Sequence, residues 1–182
     1  MRVFLINGKP RSGKDTFIEM CREIAGVHYV QSLSFVDAPK EIARKCGWNG
    51  QKDPKSRKFL ADLTDLLTEY NDYPFQSTLK DVIFYRDYYK MYDVEDRSTV
   101  FICARETSII DRFKEEFGNY NIEALSILVR NNRTESVEAS NRADANVLGD
   151  GYVYDIIIDN NGSMNELHDE AVKFCEQYIL EV

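Results

Sequence analysis

Val3-Phe4-Leu5-Ile6-Asn7-Gly8-Lys9-Pro10-Arg11-Ser12-Gly13-Lys14-Asp15-Thr16 is the stretch that decides the fold of this chain. Its opening apolar run reads as a short strand buried on both faces. Gly8 to Thr16 nearly match Gly-x4-Gly-Lys-[Ser/Thr], a loop whose backbone N–H groups cradle phosphates at a helix N-terminus while its lysine reaches the outer phosphates. Phe17, Met20/Cys21 and Ile24 follow at helical spacing, so strand, loop and helix stand in the order the pattern requires. Gly8, Lys9, Pro10, Arg11, Ser12, Gly13, Lys14, Asp15 and Thr16 are therefore the candidate nucleotide-binding residues. Asp15 stands where a Ser or Thr hydroxyl ordinarily binds Mg²⁺, and Thr16 comes one place later. A carboxylate is also an oxygen ligand for Mg²⁺ and suits a helix N-terminus, although its charge lies close to the phosphates. Asp15 is the candidate metal ligand.

Working outward, the sequence predicts strands at 2–7, 28–35, 99–103, 124–129 and 154–158. Helices are expected at 14–25, 37–46, from Pro54 to about Asn71, from about Ser77 to Tyr92, at Ser108 to Phe117, and at 163–180. The helical pair between Pro54 and Tyr92 interrupts an otherwise regular alternation. Short apolar strands separated by helices imply a parallel sheet covered on both faces, because parallel crossovers need helices. The expected architecture is a three-layer α/β/α sandwich around a five-stranded parallel sheet, in a single domain spanning 1–182. In such sheets ligands collect outside the C-terminal ends of the strands. The weight then falls on Gly8 to Asp15, Asp37, Arg105, Arg130 and Asn160-Asn161-Gly162.

The chain has 182 residues, enough for one well-cored domain and short for two. Its formal net charge of -8 argues against a nonspecific grip on nucleic acid or anionic lipid. A local arginine cluster can still hold a small anion inside an acidic protein. Cys21, Cys46, Cys103 and Cys175 are far apart and form no Cys-x-x-Cys pair, so reduced, mostly buried thiols are expected. The apolar run before Asn7 is too short for a signal-peptide core, and no later stretch reaches membrane-spanning length. A cytoplasmic protein with no membrane and no nucleic-acid partner is the expectation.

Phosphoryl transfer is mostly positioning and charge neutralisation, so cations around a phosphate loop matter more than a covalent nucleophile. Arg105 follows the third strand, Arg130 ends the fourth, and Arg133 and Arg142 lie in the polar stretch 131–150. That stretch is the candidate lid, whose arginines would either reach the transferring phosphate or simply be solvated. Lys14, Arg105, Arg130, Arg133 and Arg142 are the candidate catalytic cations. Asp37, directly after the second strand, either accepts a proton from a substrate hydroxyl or caps the following helix. Arg57, near the start of the Phe59-Leu60 helix, touches an acceptor's anionic group or is solvated. Tyr85, Tyr88, Tyr89 and Tyr92 are assigned to packing or an interface, which leaves a homodimer open. Asn160-Asn161-Gly162 is a turn, or a loop edging an adenine ring.

With these residues in place, the chain resembles the P-loop nucleoside-monophosphate-kinase-like group. The likeness is to phage-type deoxynucleoside monophosphate kinases and animal-type phosphomevalonate kinases, through their shared Arg/Lys-x-Ser-Gly-Lys-Asp loop. The resemblance implies a P-loop NTPase fold of the adenylate-kinase-like kind, with ATP and Mg²⁺ as cofactors. It also implies that residues from about 37 to 92 are acceptor-binding helices, that Arg130, Arg133 and Arg142 belong to the lid region, and that Arg105 lies near the acceptor phosphate; Asp37 and Arg57 stand beside it as candidate acceptor contacts read from their own positions. The family's third strand ends in Asp-x-Arg; here the run is Cys103-Ala104-Arg105, so the arginine carries over and the aspartate does not. A thiol does not replace a hard oxygen ligand for Mg²⁺, which leaves Asp15 or Glu106 to compensate. The leading expectation is transfer of the ATP γ-phosphate to a small phosphorylated acceptor, a (deoxy)nucleoside monophosphate first, then a phosphomevalonate-like or dephospho-coenzyme-A-like one. A nucleotide-binding sensor or degenerate kinase acting through a protein partner is the alternative. No Asn-Lys-x-Asp guanine-reading motif is present, and small size and acidity disfavour a nucleic-acid motor.

Overall fold

A computed structural model of the protein describes residues 1–94, 98–134 and 151–180. In chain order it contains β1 (Arg2–Asn7), α1 (Lys14–Ala25), β2 (Val30–Ser34), α2 (Asp37–Lys45), α3 (Pro54–Asn71) and α4 (Tyr73–Met91). There follow β3 (Thr99–Cys103), α5 (Thr107–Asn119), β4 (Glu123–Arg130), β5 (Ile156–Asp159) and α6 (Met164–Cys175), which runs into a π turn at Glu176–Leu180. Arg142 and the rest of 135–150, the greater part of the expected lid, lie outside the described residues.

The strands form one five-stranded parallel sheet in the order β2-β3-β1-β4-β5. β1 is central, pairing with β3 at Ile6↔Cys103 and with β4 at Asn7↔Leu128. The chain leaves β1 towards one half of the sheet and later fills the other half, so the loop after β1 sits at the switch point where such sheets bind ligands. Alternate residues of β1 face opposite sides. Phe4 and Ile6 join Phe17, Cys21, Leu167, Ala171 and Phe174 of α1 and α6 in one core. Phe4 lies 5.3 Å from Phe101 and 4.9 Å from Phe174 between ring centroids. Val3, Leu5, Val100 and Ile102 are equally buried, and α5 packs against β4 with Ile110, Phe113 and Phe117 inward. This is the α/β sandwich expected from the pattern.

The chain divides into two compact units, Met1–Ser32 with Tyr89–Val182, and Leu33–Tyr88. In the second, α2 packs on α3. α3 begins at Asp53, whose side chain accepts from the Lys55 and Ser56 amides, with Pro54 at the first helical position.

Several boundaries differ from the sequence reading, β2 starting at Val30 instead of 28 and α5 ending at Asn119 instead of Phe117 among them. α4 starts at Tyr73, not Ser77: Pro74 falls in the first turn, where its missing N–H has no helical partner to lose, so it opens the helix. β5 starts at Ile156, because Tyr154 and Asp155 spend their side chains on tertiary hydrogen bonds before the ladder begins. The closing helix changes pitch at Glu176. The four cysteines form no disulfide; Cys21 and Cys175 are buried, whereas Cys46 is exposed and Cys103 half-buried.

Candidate active site

The loop from Gly8 to Gly13 is shaped by three residues at positive φ: Gly8 at 151°, Arg11 at 65° and Gly13 at 101°. At Gly8 a Cβ would collide with the Val129 carbonyl and sit 2.7 Å from Ser12 Oγ; at Gly13 it would run into the Asn160 side chain. Both positions thus need glycine for conformation and for space. The Ser12 amide closes the loop on the Lys9 carbonyl at 3.1 Å.

Gly13 is the N-cap of α1 and no side chain caps the helix. The first amides of a helix lack intrahelical acceptors and carry its positive dipole end, so an uncapped N-terminus at a sheet's switch point is built for an anion. Lys14 Nζ donates to the Gly8 carbonyl at 2.6 Å and to the Lys9 carbonyl at 3.1 Å, which holds its ammonium over the loop. Ser12 is 1% exposed, and its hydroxyl has no hydrogen-bond partner. Such a buried orphan is costly unless a ligand satisfies it. Asp15 is exposed in the first turn of α1. These residues fit a bound phosphate chain.

Two asparagines anchor the loop at its ends. Asn7 Oδ1 accepts from the Gly8 amide at 2.8 Å, while its Nδ2 donates to the Arg105 carbonyl at 3.1 Å and to the Tyr154 hydroxyl at 2.8 Å. Asn160 Nδ2 donates to the Ser12 carbonyl at 2.9 Å, and its own amide donates to the Arg130 carbonyl at 2.8 Å.

The strand-end arginines come to the same edge. Arg105 is exposed immediately beyond β3. Arg130 makes a two-pronged pair with Asp159, at 2.6 and 2.9 Å, and this guanidinium holds the Asp159 carboxyl below the ordinary carboxylate range. Arg133 donates to the Asn161 carbonyl at 3.3 Å, and Asn161 Oδ1 accepts from the Asn132 amide. The Asn160-Asn161-Gly162 turn therefore braces the loop, the end of β4 and the residues after it.

Of the remaining candidates, Asp37, Arg57, Tyr85 and Tyr88 belong to the helical unit, Tyr89 and Tyr92 to the other. Asp37 accepts from the Ser34 amide at 2.7 Å and from Lys40 at 2.9 Å. It closes the turn before α2, whose N-cap is Val36, instead of capping the helix itself. Arg57 is exposed, its Nε donating to the Lys52 carbonyl. Tyr89 is buried, donating to the His28 carbonyl and accepting from Gln31, while Phe84, Tyr88 and Tyr92 are exposed. Sequence reasoning passed over Asn7 and Tyr154; the signal available for Asn7 was a carboxamide closing a wholly apolar strand. Among the described residues no three His, Cys, Asp or Glu side chains gather as a metal site, and no helix is long and apolar enough to cross a membrane.

No family model and no curated protein sequence matches the chain. Among solved structures it is similar to the APS kinase of Mycobacterium tuberculosis in complex with AMPPNP and APS, with 11% identity over 96% of this chain and 97% of that one and a TM-score of 0.49. It is also similar to an unliganded sugar kinase from Janibacter sp. HTCC2649, with 13% identity over 97% and 95% of the two chains and a TM-score of 0.48.

Proposed function

We propose that the protein is an ATP-dependent phosphotransferase acting on a small, already phosphorylated acceptor, with a (deoxy)nucleoside monophosphate as first choice. The observation that carries the reading is the glycine-shaped loop at the switch point, with Lys14 held over an uncapped helix N-terminus beside the orphan Ser12 hydroxyl.

On ATP binding the Lys14 ammonium exchanges the Gly8 and Lys9 carbonyls for the β- and γ-phosphates, and the amides at the start of α1 take the remaining oxygens. An acceptor oxygen attacks the γ-phosphorus, the bond to the β–γ bridging oxygen breaks, and the leaving charge develops on ADP. Lys14 stands against that charge, Arg105 orients the acceptor phosphate, and the Arg130 to Arg142 segment, with Arg133 within it and Arg142 outside the described residues, meets the developing charge. Asp15 would hold a Mg²⁺ ion carried in with ATP, and the ion would supply charge neutralisation at the phosphate oxygens; one protein carboxylate plus phosphates and water is an ordinary Mg²⁺ environment.

Cys103 in place of a third-strand carboxylate favours a second reading, a nucleotide-binding sensor that works through a protein partner. ADP release from Mg-ATP, measured against nucleoside and deoxynucleoside monophosphates, phosphomevalonate and dephospho-coenzyme A, separates the two. Turnover with one acceptor that is lost in Lys14→Ala supports the kinase. Lys14-dependent ATP binding without turnover on the whole panel supports the sensor.

A further inference from the structure

We propose that Asn7 is a positioning residue which sets the phosphate loop and the Arg105 turn in one geometry, with the Tyr154 hydroxyl as its lock; this rests on the nucleotide-binding reading of the loop. Asn7 is fully buried at the end of β1, the polar terminus of an otherwise apolar strand. A carboxamide taken out of water needs partners for both donors and its acceptor. Each is met by a different segment: the loop through the Gly8 amide, the turn after β3 through the Arg105 carbonyl, and the stretch before β5 through the Tyr154 hydroxyl. Exchanging the oxygen and nitrogen of the side chain would set Oδ1 against the Arg105 carbonyl and Nδ2 against the Gly8 amide. The orientation is therefore unique.

The backbone explains why a side chain is needed here. The β1–β3 ladder ends where the Ala104 amide donates to the Ile6 carbonyl at 3.2 Å. The Asn7 side chain continues it by one rung, joining β1 to the residue that carries the acceptor arginine. On its other side the Asn7 oxygen fixes the amide of Gly8, the residue whose carbonyl holds Lys14. Phosphate lysine and acceptor arginine are thus referenced to one planar group.

Tyr154 is itself held on both sides. Its ring makes an edge contact with Tyr152 at 4.8 Å, and Tyr152 donates to Asp111 of α5 at 2.8 Å. Asp155 accepts from the Ser126 amide and hydroxyl, each at 2.7 Å, and from Lys114 at 2.6 Å. A hydroxyl delivered by so constrained a segment fixes Asn7 instead of following it.

Tyr154→Phe removes one oxygen and keeps the ring; Asn7→Leu keeps the number and branching of the side-chain heavy atoms and removes every polar contact. The probe is ATP titrated calorimetrically into the full chain, alongside thermal melting and amide exchange at Gly8 without nucleotide. Positioning predicts about tenfold weaker ATP binding by folded Tyr154→Phe and about tenfold faster Gly8 exchange. It also predicts that Asn7→Leu with Tyr154→Phe binds no worse than Asn7→Leu alone, because the hydroxyl acts through the carboxamide. Wild-type ATP affinity and unchanged Gly8 exchange in folded Tyr154→Phe would overturn the proposal, even if the melting temperature falls and even if Asn7→Leu does not fold. Lys14→Ala tells the two failures apart: if it binds ATP like the wild type, the nucleotide reading of the loop is what has failed.

Discussion

The sheet unit and the helical unit spend their sequence differently. In Met1–Ser32 with Tyr89–Val182, five successive residues of β1, Val3 to Asn7, are 0% exposed, and the loop they lead into is tied at both ends by asparagine side chains. In Leu33–Tyr88, the whole of α3 contributes no buried residue, and Leu66, Tyr70, Phe84 and Tyr88 stand exposed. The first unit uses its residues to specify one geometry for the loop. The second buries Ala43, Phe75, Leu79 and Val82 in α2 and α4 but leaves the large side chains Leu66, Tyr70, Phe84 and Tyr88 at the surface.

Truncating the core should expose this contrast most strongly. Phe4→Ala removes a ring packed on Phe101, Phe174 and Tyr178 and is expected to cost about 3–5 kcal/mol in denaturant unfolding. Leu66→Ala, at a side chain 62% exposed, should stay within about 0.5 kcal/mol. Equal losses would mean that α3 is as fully engaged as β1. A smaller effect on stability but a larger one on binding is expected of Gly13→Ala. The added methyl needs the left-handed conformation and the space of the Asn160 side chain, at a cost of about 1–2 kcal/mol, and ATP affinity should fall with it.

Two carboxylates sharpen the comparison through pH. Arg130 lowers the Asp159 pKa in the sheet unit, so this pair stabilises the fold above the unfolded carboxylate range and loses its contribution as pH falls through the folded value. Asp159→Asn should lower Tm at pH 7 by the equivalent of less than about 1 kcal/mol, as for an exposed pair, and converge with the wild type in acid. Asp81 of the helical unit is shifted the other way, by burial first and then by Glu41 and Asp37. Its contribution is present below the unfolded carboxylate range and is lost as pH rises through its raised folded value. Asp81→Asn should therefore raise Tm slightly at pH 7 and match the wild type in acid. Parallel melts across pH check both signs, and a shared sign would contradict the difference drawn between the units.

How legible each region was follows from the same physics. β1, the loop and α1 could be read residue by residue, because a four-residue apolar run, two glycines and a lysine each answer a local constraint. The course of 151–155 could not be read, since Tyr154 and Asp155 are placed by Asn7, Ser126 and Lys114, partners distant in sequence. Pro74 misled for a related reason: proline serves equally to end one helix or to open the next, so the end of α3 at Asn71 was legible and the start of α4 at Tyr73 was not. Arg105 and Arg130 were legible as strand-end cations, but the Asp159 carboxylate that engages Arg130 was not singled out.

The central claim is that the Gly8–Thr16 loop binds a nucleotide triphosphate chain through Lys14. Calorimetric titration of Mg-ATP into the wild type and Lys14→Ala, with matched melting curves, tests it most directly. The account predicts saturable binding by the wild type and at least tenfold weaker binding by Lys14→Ala, with the melting temperature without nucleotide little changed. Equal affinity in the two proteins, or no binding by the folded wild type, would contradict it.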